Sequence, residues 1–152
     1  MPRASLVGRL RVVSDLDTMF STLASPQYDP RREVLTERAV PGPLPNESSG
    51  DIGSASVVRK TSTRVTVQAD ARKDCVLVLS DAYYPGWSAR IDGQRAEVFP
   101  VDYAFQGVLL GAGQHTVEFA YAPRSFYLGL RISVAALVVS VAVSGLLLFR
   151  RG

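Results

Sequence analysis

TRVTVQA, residues 63–69, decides the fold class. Val65, Val67 and Ala69 fall on one side of an extended chain, and Arg64, Thr66 and Gln68 on the other. A period of two marks a half-buried β-strand, because successive side chains leave opposite faces of the pleat. Val and Thr favour that conformation. The reading extends outward: 55–60 and 76–80 are further strands, and VLVLS is apolar on both sides, which suits a central strand. HTVEFAY (115–121) alternates again, with His115, Val117, Phe119 and Tyr121 opposed to Thr116, Glu118 and Ala120. Residues 103–110 form another strand, and Gly111-Ala112-Gly113 turns the chain.

The stretch DAYYPGW (81–87) places three large aromatics around a Pro-Gly pair. Tyr84-Pro85-Gly86-Trp87 meets the demand of a type II turn, where Pro presets φ and Gly supplies a positive one. WSARID follows with Trp87, Ala89 and Ile91 facing inward, and RAEVFP returns. Two hairpin registers compete. A Gly93-Gln94 loop sets Asp92 opposite Arg95 and Arg90 opposite Glu97. An Asp92-Gly93 loop sets Arg90 opposite Arg95. Cross-strand charge pairs favour the first by about 1 kcal/mol.

Upstream, 6–13 reads as a strand. Ser14 then reads as the N-cap of a short helix, LDTMFSTLAS, with Asp15 and Asp17 in its first turn and Leu16, Phe20 and Leu23 on one side. Residues 32–38 are another strand. Residues 40–53, VPGPLPNESSGDIG, carry no apolar period. The expected organisation is an N-terminal strand and helix segment (1–40), a linker (41–53) and a β-sandwich (54–123). A membrane helix (125–149) and a short tail (150–152) follow. Seven short strands with little helix predict a mainly β chain, an antiparallel β-sandwich of Ig-like or jelly-roll-like kind.

FYLGLRISVAALVVSVAVSGLLLF (126–149) holds one charge, Arg131. As a helix it would extend roughly 36 Å, enough for a hydrocarbon core of about 30 Å. A single C-terminal transmembrane helix is therefore expected, with the lipid bilayer as partner. Arg124, Phe126, Tyr127 and Arg131 would sit at one interface. Arg150 and Arg151 would sit at the other, placing the C-terminus in the cytoplasm. The N-terminus, MPRASLVGRLRVVSD, lacks the apolar core of a signal peptide. Either the domain is cytoplasmic and tail-anchored, or the chain is the end of something longer.

All 14 acidic residues precede Arg124, and so do 13 of the 17 basic ones. With Arg124 itself, the part before the apolar run is neutral. The net charge of +3 comes from Arg131, Arg150 and Arg151. This pattern argues against a nucleic-acid partner. Cys75, the single cysteine, lies in an apolar run and reads as a buried thiol. No nucleotide loop, metal-ligand spacing or nucleophile elbow is present, so no cofactor and no metal are expected. His115 would have to anchor any Ser-His-Asp site, but it lies on the apolar face of a strand beside a turn. Asp81, Asp92 and Asp102 read as turn residues. The candidate ligand contacts are Tyr83, Tyr84, Trp87 and Tyr103, with Asp102 beside them. Sugar rings dock on exposed aromatic faces, whereas β-sandwich cores also consume such side chains.

YYPGWSARIDGQRAEV (83–98) and DYAFQGVLLGAGQHTVEFAYAPRSFYLGL (102–130), followed by an apolar terminal segment, resemble the C-terminal end of the YfhO-type bacterial membrane proteins. MPRASLVGRLRVV and YDPRREV resemble the segments before it. Gly111 departs from the proline expected at its turn. The resemblance implies a long polytopic protein of the GT-C type of glycosyltransferase. Such a protein would move sugars from polyprenyl-phosphate donors to cell-envelope polymers such as teichoic acids. Its catalytic carboxylates are expected in an early extracytoplasmic loop that nothing here matches. On this resemblance the chain is a non-catalytic, extracytoplasmic accessory domain, a fragment or split product. Its partners would be an envelope glycan, a polyprenyl-linked sugar and the catalytic membrane portion of the enzyme. A stand-alone single-pass protein with a carbohydrate- or protein-binding sandwich, and a structural tail that aids folding, remain alternatives.

Overall fold

The computed structural model describes residues 2–40, 44–46, 50–123, 129, 132–138 and 140. The chain divides into two units, Met1–Tyr121 and Ala122–Gly152. In the first, strands β1 (Ala4–Val7) and β2 (Leu10–Val12) precede helix α1 (Leu16–Leu23) and β3 (Val34–Thr36). Strands β4 (Gly53–Lys60), β5 (Arg64–Ala71) and β6 (Cys75–Leu79) follow. Then come β7 (Trp87–Ile91), β8 (Gln94–Ala96), β9 (Phe99–Val101), β10 (Phe105–Leu110) and β11 (Gly113–Tyr121).

One antiparallel sheet runs β1-β6-β10-β9, a second runs β4-β5-β11-β7-β8, and β2 and β3 form a parallel pair. Alternation sorts the side chains into layers. Val65, Val67 and Ala69 of β5 and Val117 and Phe119 of β11 pack with Cys75, Leu77 and Leu79 of β6 in the main core. Val76 and Val78 leave β6 on the opposite side. They meet Val7, Leu10, Val34, Phe99 and Val101 in a second core. All five residues of β6 are buried, which explains why CVLVL has no polar face: its sheet is covered on both sides. Gly107 lies opposite Phe99 across the β9–β10 pair. A Cβ there would come within 2.8 Å of Val101 and 3.0 Å of Phe99, so the bare backbone leaves room for the ring. Beyond this layer, Met19 of α1 packs with Val13 and Leu35.

Four expectations change. The strand over 6–13 divides in two, because β1 joins the four-stranded sheet while β2 leaves it to pair with β3. Asp15, not Ser14, caps α1: its carboxylate accepts the Thr18 N–H at 2.7 Å. The helix buries Met19 and leaves Leu16 and Phe20 exposed.

The β7–β8 hairpin adopts the register with Arg90 opposite Arg95 and turns at Asp92-Gly93. Both turn residues have positive φ, 51° and 83°, as a type I′ turn requires and Asp-Gly accommodates. Asp92 is not free to face Arg95, because its carboxylate accepts the Thr116 N–H at 2.8 Å and meets His115 Nδ1 at 2.7 Å. Arg90 donates instead to the Gly93 carbonyl at 2.9 Å. Turn geometry and these bonds outweigh a weak surface charge pairing.

The fourth correction concerns the C-terminal transmembrane helix. In the second unit the described helical residues are 129, 132–138 and 140, with Ile132, Val134, Leu137 and Val138 exposed. No helix among the described residues is long and apolar enough to cross a membrane. Among them the helices are short and the fold is mainly β with antiparallel sheets. The rest of 125–149 and the tail 150–152 lie outside the described residues.

Candidate functional site

The aromatic turn forms as its sequence demands. Trp87 N–H reaches the Tyr84 carbonyl at 3.4 Å, and Gly86 holds φ at 115°. Two further bonds tie the turn down. Tyr83 N–H donates to the Ala104 carbonyl at 2.8 Å, and the buried Gln106 amide donates to the Ala82 carbonyl at 3.2 Å. Asp81 is held by Arg3 at 2.8 Å and Lys60 at 3.4 Å. The turn therefore presents its side chains from a fixed backbone.

The candidate contacts separate into two groups. Tyr83 and Trp87 pack against the main core, and the Trp87 ring lies 5.3 Å from that of Tyr121. Tyr84 is 60% exposed and Tyr103 is 57% exposed. Tyr103 stands at the β9–β10 turn with φ of 70°, its ring tilted against Phe20 at 5.0 Å. Asp102 sits beside it but is turned inward. One of its carboxylate oxygens accepts the Tyr28 hydroxyl at 2.7 Å and the Leu35 N–H at 2.8 Å. Its own N–H donates to the Leu35 carbonyl at 2.8 Å. Burial pushes its carboxyl above the usual range, against the lowering effect of the Leu35 and Tyr28 bonds. Asp102 thus clamps β3 to the four-stranded sheet.

His115 is likewise committed. Its Nδ1 faces the Asp92 carboxylate at 2.7 Å and its Nε2 faces the Gly111 carbonyl at 3.2 Å, so neither nitrogen is left for a nucleophile. The His115 bond and the Thr116 N–H hold the Asp92 carboxyl below its ordinary value. Burial, then the charge of Asp74, push the Cys75 thiol up to about 12, which makes it inert. Among the described residues no group of three metal-ligating side chains converges.

The sequence reading passed over the outer face of the five-stranded sheet. Register puts Ser54, Asp70 and Gln114 in one row across β4, β5 and β11, and Ser56, Gln68 and Thr116 in the next. All six point away from the core and are exposed. They line a groove of about 500 Å³ with Asp92 and His115 at its rim. The signal was present in the alternation: at these two rows the outward phases of the three strands are Ser, Gln, Thr and Asp, side chains that both solubilise a sheet and bind ligands. Farther along, Arg59, Arg64 and Arg90 line a second groove with Thr66 and Glu118.

The expected interface residues Arg124, Phe126, Tyr127, Arg131, Arg150 and Arg151 lie outside the described residues. Compared with known proteins, residues 53–133, more than half of the chain, match the family described as "Bacterial membrane protein YfhO". The segments 1–13 and 28–34 fall outside that match. The chain is 31% identical over 78 residues to the "Uncharacterized protein YfhO" of Bacillus subtilis (strain 168). The aligned stretch is 51% of this chain and 9% of that relative, so the chain spans only a small part of the relative's length. No solved structure matches.

Proposed function

The chain belongs to the YfhO family of bacterial membrane proteins. From that premise we propose that it serves as a non-catalytic, extracytoplasmic accessory domain of a membrane glycosyltransferase acting on envelope polymers. The observation that supports this reading is where the match falls. The family match begins at β4 and takes in every strand of the five-stranded sheet, and the 78 residues aligned to the Bacillus subtilis relative are 9% of that protein. A small β-domain carried by a far longer membrane protein fits that pattern. Asp102 and His115, the residues a catalytic reading would turn to, are committed to a clamp and a turn. Tyr84 and Tyr103 are the exposed aromatics from the candidate set and would touch the acceptor glycan.

The test is sugar transfer by source-cell membranes, measured per molecule of the transferase, with the β-domain present and deleted. The proposal expects transfer to fall while the transferase level holds. A fall in level at unchanged specific activity would instead assign a folding role. Transfer catalysed by the purified chain alone would overturn the non-catalytic reading.

A further inference from the structure

We propose that the outer face of the five-stranded sheet binds an uncharged oligosaccharide, held by hydrogen bonds from the rows Ser54, Asp70, Gln114 and Ser56, Gln68, Thr116. The inference rests on the accessory-domain reading for its cellular setting, and on the sheet alone for its chemistry.

Three strands in register hold these side chains. Adjacent strands lie about 4.8 Å apart, and same-face neighbours along one strand about 6.7 Å apart. The six polar ends therefore cover an area comparable to one or two pyranose rings. Regular strands fix their backbones, so little ordering is left for binding. Ser54, Ser56, Gln68, Asp70 and Gln114 make no side-chain hydrogen bond or ion pair with another described residue. Gly53 fixes the start of β4: its φ is 112°, and a Cβ there would collide with the Asp70 backbone carbonyl.

The lining selects the ligand. Ala69 is its one apolar residue, so the groove offers no anchor for an apolar ligand or a hydrophobic peptide. Ser, Thr and Gln each donate and accept, and Asp accepts. A matching ligand must therefore donate and accept along its length, as a chain of sugar hydroxyls does. Charge narrows the choice. Asp70 faces the groove and Asp92 its rim, while the arginines line the separate groove farther along, so an anion is disfavoured here.

The test uses the full chain in mild detergent and three linear neutral probes: maltotetraose, cellotetraose and chitotetraose. Binding is read by saturation-transfer NMR and titration. At least one probe is expected to bind. The Gln68→Ala/Asp70→Ala double variant should weaken it roughly tenfold or more, and Gln27→Ala, at an exposed position in the α1–β3 connection, should leave it within about twofold. Gln114→Lys serves as a second, independent variant of the same row and should also weaken binding. Failure of all three probes to bind would overturn the proposal. So would wild-type affinity in the double variant. If binding instead vanished in Tyr84→Ala alone, the ligand site would move to the aromatic turn. The accessory-domain reading would survive that result.

Discussion

Replacing Asp102 separates a structural clamp from a ligand contact. In Asp102→Ala the Leu35 N–H, whose residue is fully buried, loses its acceptor. An orphaned buried donor costs about 1–3 kcal/mol. Tyr28 keeps a second acceptor, the Glu33 carbonyl at 3.2 Å, so its loss is smaller. Asp102 also holds φ at 48°, a conformation that costs Ala about 1 kcal/mol more than Asp. The sum is about 2–4 kcal/mol, a large share of a typical domain's stability. Asp102→Asn retains an oxygen for both donors and tolerates the positive φ, so it should stay within about 1 kcal/mol of wild type. The pH dependence has a definite sign. Burial raises the folded carboxyl above its ordinary 3.8, so the native state binds the extra proton. Stability from this group is complete below 3.8 and is lost as pH rises through the raised folded value. The Asn variant therefore gains on wild type across that window. Urea unfolding of the full chain in mild detergent, followed by the single tryptophan, Trp87, reads both effects. A loss below about 1 kcal/mol in Asp102→Ala, or equal losses in the Ala and Asn variants, would refute the clamp.

Other outcomes follow from the same packing. Trp87→Ala should destabilise by about 2–3 kcal/mol and Tyr84→Ala by less than about 0.5, since one packs on the core and the other is exposed; chemical denaturation of Tyr84→Ala and thermal melts of both distinguish them. Gly107→Ala should cost about 1–3 kcal/mol by forcing Phe99 and Val101 aside, and an unchanged melting temperature would contradict the close approach. Cys75 should resist alkylation at pH 8 in the folded chain and react once urea unfolds it. The depressed Asp92 carboxyl supports the hairpin above its ordinary value of 3.8 and ceases to as pH falls through the lower folded value. Faster Thr116 amide exchange on acidification should report that loss, and Asp92→Asn should remove it.

Much of the β-structure was legible because period-two alternation is written residue by residue. Val65, Val67 and Ala69 are buried as their phase requires, and the two-sided CVLVL run became the central strand. Tyr84-Pro85-Gly86 was legible because Pro and Gly act on their own backbone. The hairpin register was not: it depends on Asp92 meeting Thr116 and His115, a contact between residues 23 and 24 positions apart. The inward turn of Asp102 depends on Leu35, 67 positions away, so its sequence neighbourhood suggested a ligand contact. The apolar period in α1 was visible, but not which part of it would meet Leu35. The polar rows across β4, β5 and β11 appear only once three strands are aligned, since a single polar phase looks like any solvated face.

The size of the native species carrying this β-domain separates an accessory domain of a larger membrane enzyme from a free-standing protein. Source-cell membranes would be solubilised in mild detergent, separated by native electrophoresis, and probed with an antibody against residues 54–121. The expected species is several-fold larger than 16.4 kDa, and mass spectrometry should find multi-span transferase sequence in it. A species near 16.4 kDa that migrates alone would contradict an accessory role within a larger membrane enzyme.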